Sequence, residues 1–112
     1  MKGTNLGEFE ELLLLVVLIL KEEAYVNKIR EELKRQVDRS ISMGALHTTL
    51  SRLEKKGFLE SDMSGATQAR GGRRKRIYEL TDSGKAALVE TREQRASLWN
   101  QVPSLDLKFV YA

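Results

Sequence analysis

The chain of 112 residues has no cysteine, one histidine, one proline and one tryptophan. Without cysteine it can form no disulfide, no thiolate metal site and no cysteine nucleophile, a composition that suits a reducing cytoplasm. Acid–base catalysis needs paired titratable groups and metal-assisted hydrolysis needs several ligands, whereas His47 is the only histidine. The sequence also lacks a P-loop and a dinucleotide-binding fingerprint. We therefore expect a cytoplasmic protein that is not an enzyme and uses no metal or cofactor.

Long apolar runs are also scarce. The longest is "LLLLVVLIL", residues 12–20, and a run of this length is far shorter than the roughly 20 residues that span a bilayer. Acidic residues precede it, at Glu8, Glu10 and Glu11, where a secretory signal would be basic. We expect no membrane partner. A helix that is apolar on all sides is normally buried, here by its own domain and by a second subunit.

Positive charge is modest in amount but concentrated in one place. The composition, 41% apolar and 31% charged, predicts a single helix-rich globular domain with a net charge of +3. Five cations lie within residues 70–76, and because they exceed the whole net charge, the rest of the chain is net negative. A basic segment on an acidic body indicates a polyanionic partner. These cations are Arg70, Arg73, Arg74, Lys75 and Arg76.

Hydrophobic periodicity and capping signals predict a mostly α chain with one small β-hairpin. The first helix is expected from residue 5 or 6 to 20, and a second from 24 to about 37 with a stripe formed by Tyr25, Ile29, Leu33 and Val37. Ser42 is expected to cap a third helix that Gly57 closes. Strands are predicted within 58–63 and at 77–80, and a last helix from Thr81 or Asp82 to about residue 101.

The third helix has a buried side and an exposed side whose side chains are unusually short. Met43, Leu46, Leu50 and Leu53 mark the buried side by their spacing. Ordinary solvated helices carry glutamate and lysine opposite such a stripe, whereas this helix carries short side chains there, which favours entry into the major groove of DNA. The predicted DNA-binding residues of this helix are Ser42, Gly44, Ala45, His47, Thr48, Ser51 and Arg52.

The basic loop between the strands has two interpretations. Charge runs are often only solvated, but helix, turn, helix and hairpin in this order form a winged helix-turn-helix, whose wing lies along DNA. In that fold Arg70, Arg73, Arg74, Lys75 and Arg76 would bind phosphates or enter the minor groove, and Gly71 and Gly72 would let the turn approach the duplex.

The chain resembles the PadR-type transcriptional regulators of the small subclass with one C-terminal helix. The resemblance covers about residues 6–100 and rests on "LGEFEELLLLVVL", "AYVNKIREEL", "SMGALHTTLSRLEKKGFLES", "GGRRKRIYELTDSGKAAL" and Trp99. It departs at His47, where the family commonly has tyrosine, and at Val26, where it has glycine. The resemblance implies a homodimeric repressor whose first and last helices build the dimer interface, and a partner that is double-stranded DNA with an inverted-repeat operator.

The last helix carries an apolar seam too narrow for a complete monomer core. We expect residues 1–81 to form the winged helix-turn-helix domain and residues 82–112 the dimerisation helix and tail. Trp99 has two interpretations, an interface anchor or a platform for a planar aromatic effector. The residues assigned to the interface or effector site are Leu88, Leu98, Trp99 and Val102. The tail "SLDLKFVYA" alternates like a strand, and two interpretations stay open: an added strand or a tail that lies on the partner subunit.

Two rival binding functions are weaker. A winged-helix adaptor for another protein is the main alternative, since many such folds do not bind DNA, but an adaptor would not need five cations on its wing. A single-strand binder would need exposed aromatic residues beside a basic groove, and here the aromatic residues lie mostly in apolar stripes.

Overall fold

The computed structural model describes residues 5–63 and 75–107. Within these ranges the chain is mostly helical with one antiparallel hairpin, as the sequence predicts. Two short 3-10 turns, Lys21–Glu23 and Ser104–Leu107, follow the first and last helices. The regular elements are α1 (Glu8–Leu20), α2 (Val26–Val37), α3 (Met43–Lys55), β1 (Leu59–Asp62), β2 (Ile77–Leu80) and α4 (Asp82–Asn100).

Helix α1 lies at the centre of the core and packs against α2, α4 and β2. Leu13 and Leu14 are fully buried and Val17 is nearly so. The helix begins at Glu8 rather than at residue 5 or 6, because Gly7 has the extended backbone of an N-cap and donates its N–H to the Glu10 carboxylate at 2.9 Å. This hydrogen bond fixes the N-terminus of α1 at Gly7.

Helix α2 begins at Val26, two residues later than predicted. The preceding Ala24 is fully buried and its carbonyl accepts a hydrogen bond from the Tyr78 N–H at 2.9 Å, so its backbone is committed to the hairpin. Ile29 and Leu33 are buried as expected, but Val37 is 44% exposed. The predicted stripe was wrong at that end, because the helix stops there, one residue before a left-handed C-cap at Asp38.

The local signals around α3 are confirmed. The Ser42 hydroxyl accepts the Ala45 N–H at 3.1 Å, and Gly57 has a φ of +83°, a conformation that favours glycine. Leu46, Leu50 and Leu53 are fully buried. The cap therefore sets where the helix begins, and the leucines set which side faces the core.

The hairpin pairs Leu59 with Leu80 and Ser61 with Tyr78. Leu59, Tyr78 and Leu80 are buried, whereas the facing pair Glu60 and Glu79 is exposed. Successive side chains in a strand point to opposite sides, so one face covers the core and the other meets solvent.

Helix α4 divides into a packed half and a projecting half. Its Thr81 cap accepts the Gly84 N–H at 3.0 Å, and Ala87, Leu88 and Thr91 are buried. Every residue from 92 to 100 is exposed. The first half of α4 thus shares the core of the preceding elements, and only the second half projects from it.

The beginning of α4 lies directly against Phe58, the residue that precedes β1. A Cβ built on Gly84 would lie 2.2 Å from the Phe58 carbonyl oxygen, which is backbone and cannot move away cheaply. We predict that Gly84→Ala lowers the free energy of unfolding by about 2 kcal/mol, the usual cost of overpacking. A Cβ on Gly44 meets nothing within 4 Å, so Gly44→Ala is the matched control and should cost no stability. Urea denaturation measures both, and an equally stable Gly84→Ala protein would contradict the packing.

Candidate nucleic-acid interface

Helix α3 presents the predicted residues together on one exposed side, here called the reading face: Ser42, Gly44, Ala45, His47, Thr48, Ser51 and Arg52. All seven are exposed, because the three buried leucines occupy the opposite side of the helix. Thr49 is buried instead, and its hydroxyl donates to the Ala45 carbonyl at 3.1 Å. The face is therefore accessible along its whole length.

A shallow depression of about 450 Å³ lies along the second half of this face. His47, Thr48 and Ser51 supply donors and acceptors there, while Arg52 and Lys55 supply positive charge. Short polar groups flanked by cations suit contact with base edges and the adjoining phosphates.

The turn before α3 is held by hydrogen bonds and charge. The Arg30 guanidinium donates from Nε to the Ile41 carbonyl at 2.7 Å, and Arg39 pairs with the Glu8 carboxylate of α1. These contacts connect α2, the turn and α1. They hold the segment that leads into α3 against two other helices.

The stem of the predicted wing, at Lys75 and Arg76, is attached to α2 and to α3. The Lys75 ammonium lies 4.3 Å from the centre of the Tyr25 ring, a cation–π contact with the N-cap of α2. Arg76 donates to the Ser61 hydroxyl at 2.9 Å, and that hydroxyl donates to the Glu54 carboxylate of α3 at 2.6 Å. These two attachments hold the hairpin stem against α2 and α3.

The remaining predicted wing residues, Arg70, Gly71, Gly72, Arg73 and Arg74, lie outside the described residues. Their assignment to DNA stays a prediction. The sequence does not predict the role of Glu54 and Ser61, whose hydrogen bonds support the stem. No periodicity points to them, because each is defined by a contact between different elements.

Comparison with known proteins confirms the resemblance to the PadR-type regulators. The model of the transcriptional regulator PadR-like family matches residues 14–90, more than half of the chain. The chain belongs to this family. It is a family of transcriptional regulators and not of enzymes.

Individual relatives agree with the family match. The transcriptional regulator Rv3488 of Mycobacterium tuberculosis is 38% identical over 74 residues, which are 66% of this chain and 64% of that protein's length. A PadR family regulator of Clostridium difficile R20291 has a TM-score of 0.63 at 29% identity, covering 88% of this chain and 98% of its own. A PadR-like transcription factor of Bacteroides fragilis has a TM-score of 0.65 at 27% identity, covering 82% and 84%.

In this PadR-like chain one charged group is deeply buried among the described residues, the Glu10 carboxylate. Its oxygens accept hydrogen bonds from the Gly7 N–H and from the Lys56 ammonium, the latter at 2.9 and 3.1 Å. Burial acts to raise the pKa of Glu10, but these hydrogen bonds and the charges of Lys56 and Arg52 outweigh it, so the pKa is lowered. Glu10 is therefore ionised at neutral pH.

The hairpin of this PadR-like chain also contains a group with a shifted pKa, the Tyr78 hydroxyl. Burial raises the pKa of the Tyr78 hydroxyl, the negative charge of Glu54 raises it further, and Arg76 only partly opposes them. Tyr78 thus stays a neutral phenol that packs in the core at neutral pH. We assign it no part in binding.

The predicted interface residues of the PadR-like chain fall into two environments. Leu98, Trp99 and Val102 are 66%, 64% and 41% exposed on and just beyond the projecting half of α4. Leu88 is buried in the chain's own core instead, one of the residues that packs α4 onto the body. The exposed three form an apolar surface that the described residues do not cover.

None of the helices within residues 5–63 and 75–107 has the length and apolar character needed to cross a membrane.

The depressed pKa of Glu10 predicts a pH-dependent stability. A carboxyl whose pKa is lower in the folded state stabilises the protein above its ordinary pKa, and this stabilisation is lost as pH falls through the folded value. Glu10→Gln should therefore be less stable than the parent by about 1 kcal/mol at pH 7. The difference should shrink as pH falls below the ordinary value of 4.5, since protonated glutamate resembles glutamine. Urea denaturation at several pH values measures it, and a difference independent of pH would contradict the assigned charge.

Proposed function

We propose that this PadR-like chain is a homodimeric, sequence-specific repressor that binds double-stranded DNA at an inverted repeat, and that a small-molecule effector releases it. Such a repressor would act in the cytoplasm. One observation carries the DNA-binding part: the reading face of α3 is exposed and carries short polar side chains, and a basic hairpin stem is attached to the same helix through Glu54.

The chemistry of the two surfaces divides the work. Thr48 and Ser51 are short enough to let the helix backbone approach base edges, while Arg52 can reach a guanine edge or a phosphate. Lys75 and Arg76 at the stem continue into the basic loop, which would bind the phosphate backbone without reading sequence. Specificity would then come from α3 and much of the affinity from the wing.

Bulk on the reading face should abolish specific binding. We predict that Thr48→Tyr and Ala45→Tyr reduce affinity for a duplex selected by the parent protein from a randomised pool to the level of random DNA, a loss of ~10³ or more. Ala86→Tyr, at an exposed alanine of α4, should bind like the parent. Gel-shift titration measures affinity, and circular dichroism verifies folding. Unchanged specific binding by both reading-face variants would contradict the proposal, and a parent that selects no sequence would favour the adaptor.

The dimer is proposed from two apolar surfaces. Leu98 and Trp99 project on α4 and Val102 follows just beyond its end. On α1, three apolar side chains are 40–55% exposed: Leu15, Leu18 and Ile19. Exposed apolar residues in such groups mark interaction surfaces. A two-fold axis between protomers would place the two reading faces at half-sites about 34 Å apart, one helical turn of DNA. A DNase footprint with matching two-fold symmetry is the expected result.

The effector part of the proposal concerns Trp99. An exposed indole beside Leu98 offers a flat surface on which a planar aromatic compound could stack. If the compound changes the spacing of the reading faces, operator affinity and effector affinity must fall by the same factor. Since the chain has a single tryptophan, its fluorescence reports binding at this position directly.

A charge in the apolar surface of α4 should separate the protomers. We predict that Leu98→Asp sediments as a monomer of 12.7 kDa at concentrations where the parent is a dimer. Burying an unpaired carboxylate in an apolar interface costs several kcal/mol. Ser97→Asp, one residue earlier and equally charged, is the control and should remain dimeric. A monomeric parent, or a dimeric Leu98→Asp protein, would contradict the proposed interface.

A further inference from the structure

The buried carboxylate of Glu10 lies behind the reading face. Its Oε2 is 4.0 Å from Nη1 of Arg52, an ion pair without a direct hydrogen bond, and 2.9 Å from Nζ of Lys56. Arg52 is half exposed and belongs to the reading face, whereas the Glu10 side chain is only 9% exposed. A group on α1 therefore reaches a DNA-facing side chain from the protein interior.

Glu10 is fixed independently of Arg52. The Gly7 N–H and the Lys56 ammonium hold its two oxygens by three hydrogen bonds, so the carboxylate cannot turn to follow the arginine. Arg52 must instead adjust to a charge whose position is given. A long side chain loses conformational entropy when it is immobilised on binding. A carboxylate that orients the guanidinium beforehand reduces this loss of entropy.

We propose that Glu10 is a positioning residue that orients Arg52 for recognition of a base edge. The planar guanidinium has five N–H donors, so one edge can face the Glu10 carboxylate while the remaining donors face the groove. Orientation matters for a bidentate base contact and much less for a phosphate, which accepts from many directions. The proposal rests on the proposed DNA-binding function, because it assigns a role within that site.

The negative charge of Glu10 acts on random DNA in the opposite direction. A carboxylate close to the interface repels phosphates, so its removal should slightly strengthen binding to random sequence. Removal should also release Arg52 and weaken binding to the selected sequence. Lost repulsion strengthens binding to selected and random DNA alike and therefore cancels from the ratio of specific to random affinity, whereas the release of Arg52 lowers that ratio. A purely structural role would not change the ratio in a folded protein.

The adjacent Glu11 provides a matched control. It belongs to the same helix, is largely buried and pairs with an arginine, but that arginine is Arg95 of α4, at 2.9 Å. Glu11→Gln removes the same charge without touching α3. Comparison of the two variants therefore separates loss of charge from loss of the contact with Arg52.

The experiment measures affinity for a duplex selected by the parent protein and for random DNA of equal length. Glu10→Gln should lower the affinity ratio about tenfold, whereas Glu11→Gln should change it less than twofold. In an Arg52→Ala background Glu10→Gln should cause no further decrease, because the group it positions is gone. Equal ratios for Glu10→Gln and Glu11→Gln, or an undiminished effect in the Arg52→Ala background, would overturn the proposal.

Two further outcomes keep the test decisive. If Glu10→Gln does not fold, Glu10→Asp keeps the charge but shortens its reach, and its ratio should fall at least threefold while that of Glu11→Asp stays within twofold. Equal ratios for the two aspartate variants overturn the role of Glu10. A parent protein that prefers no sequence overturns the proposed function itself, which is a different result from a selective parent whose ratio does not respond to Glu10.

Discussion

The burial of α1 is the constraint on which the rest of this protein depends. Leu13, Leu14 and Val17 are covered by the other elements, and each such side chain removed from water contributes about 2 kcal/mol. The other helices and the hairpin are arranged around this apolar helix. The hairpin, α2 and α3 turn a mainly polar side outward, whereas the projecting half of α4 exposes apolar residues. The exposure of the reading face on α3 therefore follows from how the leucines of α3 and α1 share one core.

The acidic residues in the first turns of α1 form ion pairs with three other segments. Glu8 pairs with Arg39 in the turn before α3, Glu10 with Lys56 after α3, and Glu11 with Arg95 of α4. Exposed ion pairs contribute little to stability, and of the three carboxylates only Glu10 is buried. Together, however, three pairs from one helix to three segments limit the positions that those segments can take relative to it. Such restriction suits a protein in which the angle of one helix decides whether it fits a DNA groove.

The parts of the fold that could be predicted from sequence are those decided locally. The Ser42 cap, the positive φ of Gly57 and the leucine stripe of α3 depend on residues within a few positions of one another, and all three were predicted. The start of α2 could not be, because Ala24 pairs with Tyr78, more than fifty residues away. Periodicity likewise predicted an apolar seam on α4 but could not distinguish buried Leu88 from exposed Leu98. That difference depends on where α4 leaves the body.

Two glycines show how an internal requirement differs from an external one. Gly84 is required by the protein itself, since the Phe58 carbonyl occupies the space of a side chain. Gly44 has open space on every side, and glycine in a helix costs up to about 1 kcal/mol relative to alanine. Nothing within the described residues requires glycine at that position. A DNA groove that approached the first turn of α3 closely would have more room beside glycine than beside a larger side chain, in keeping with the role proposed for the reading face.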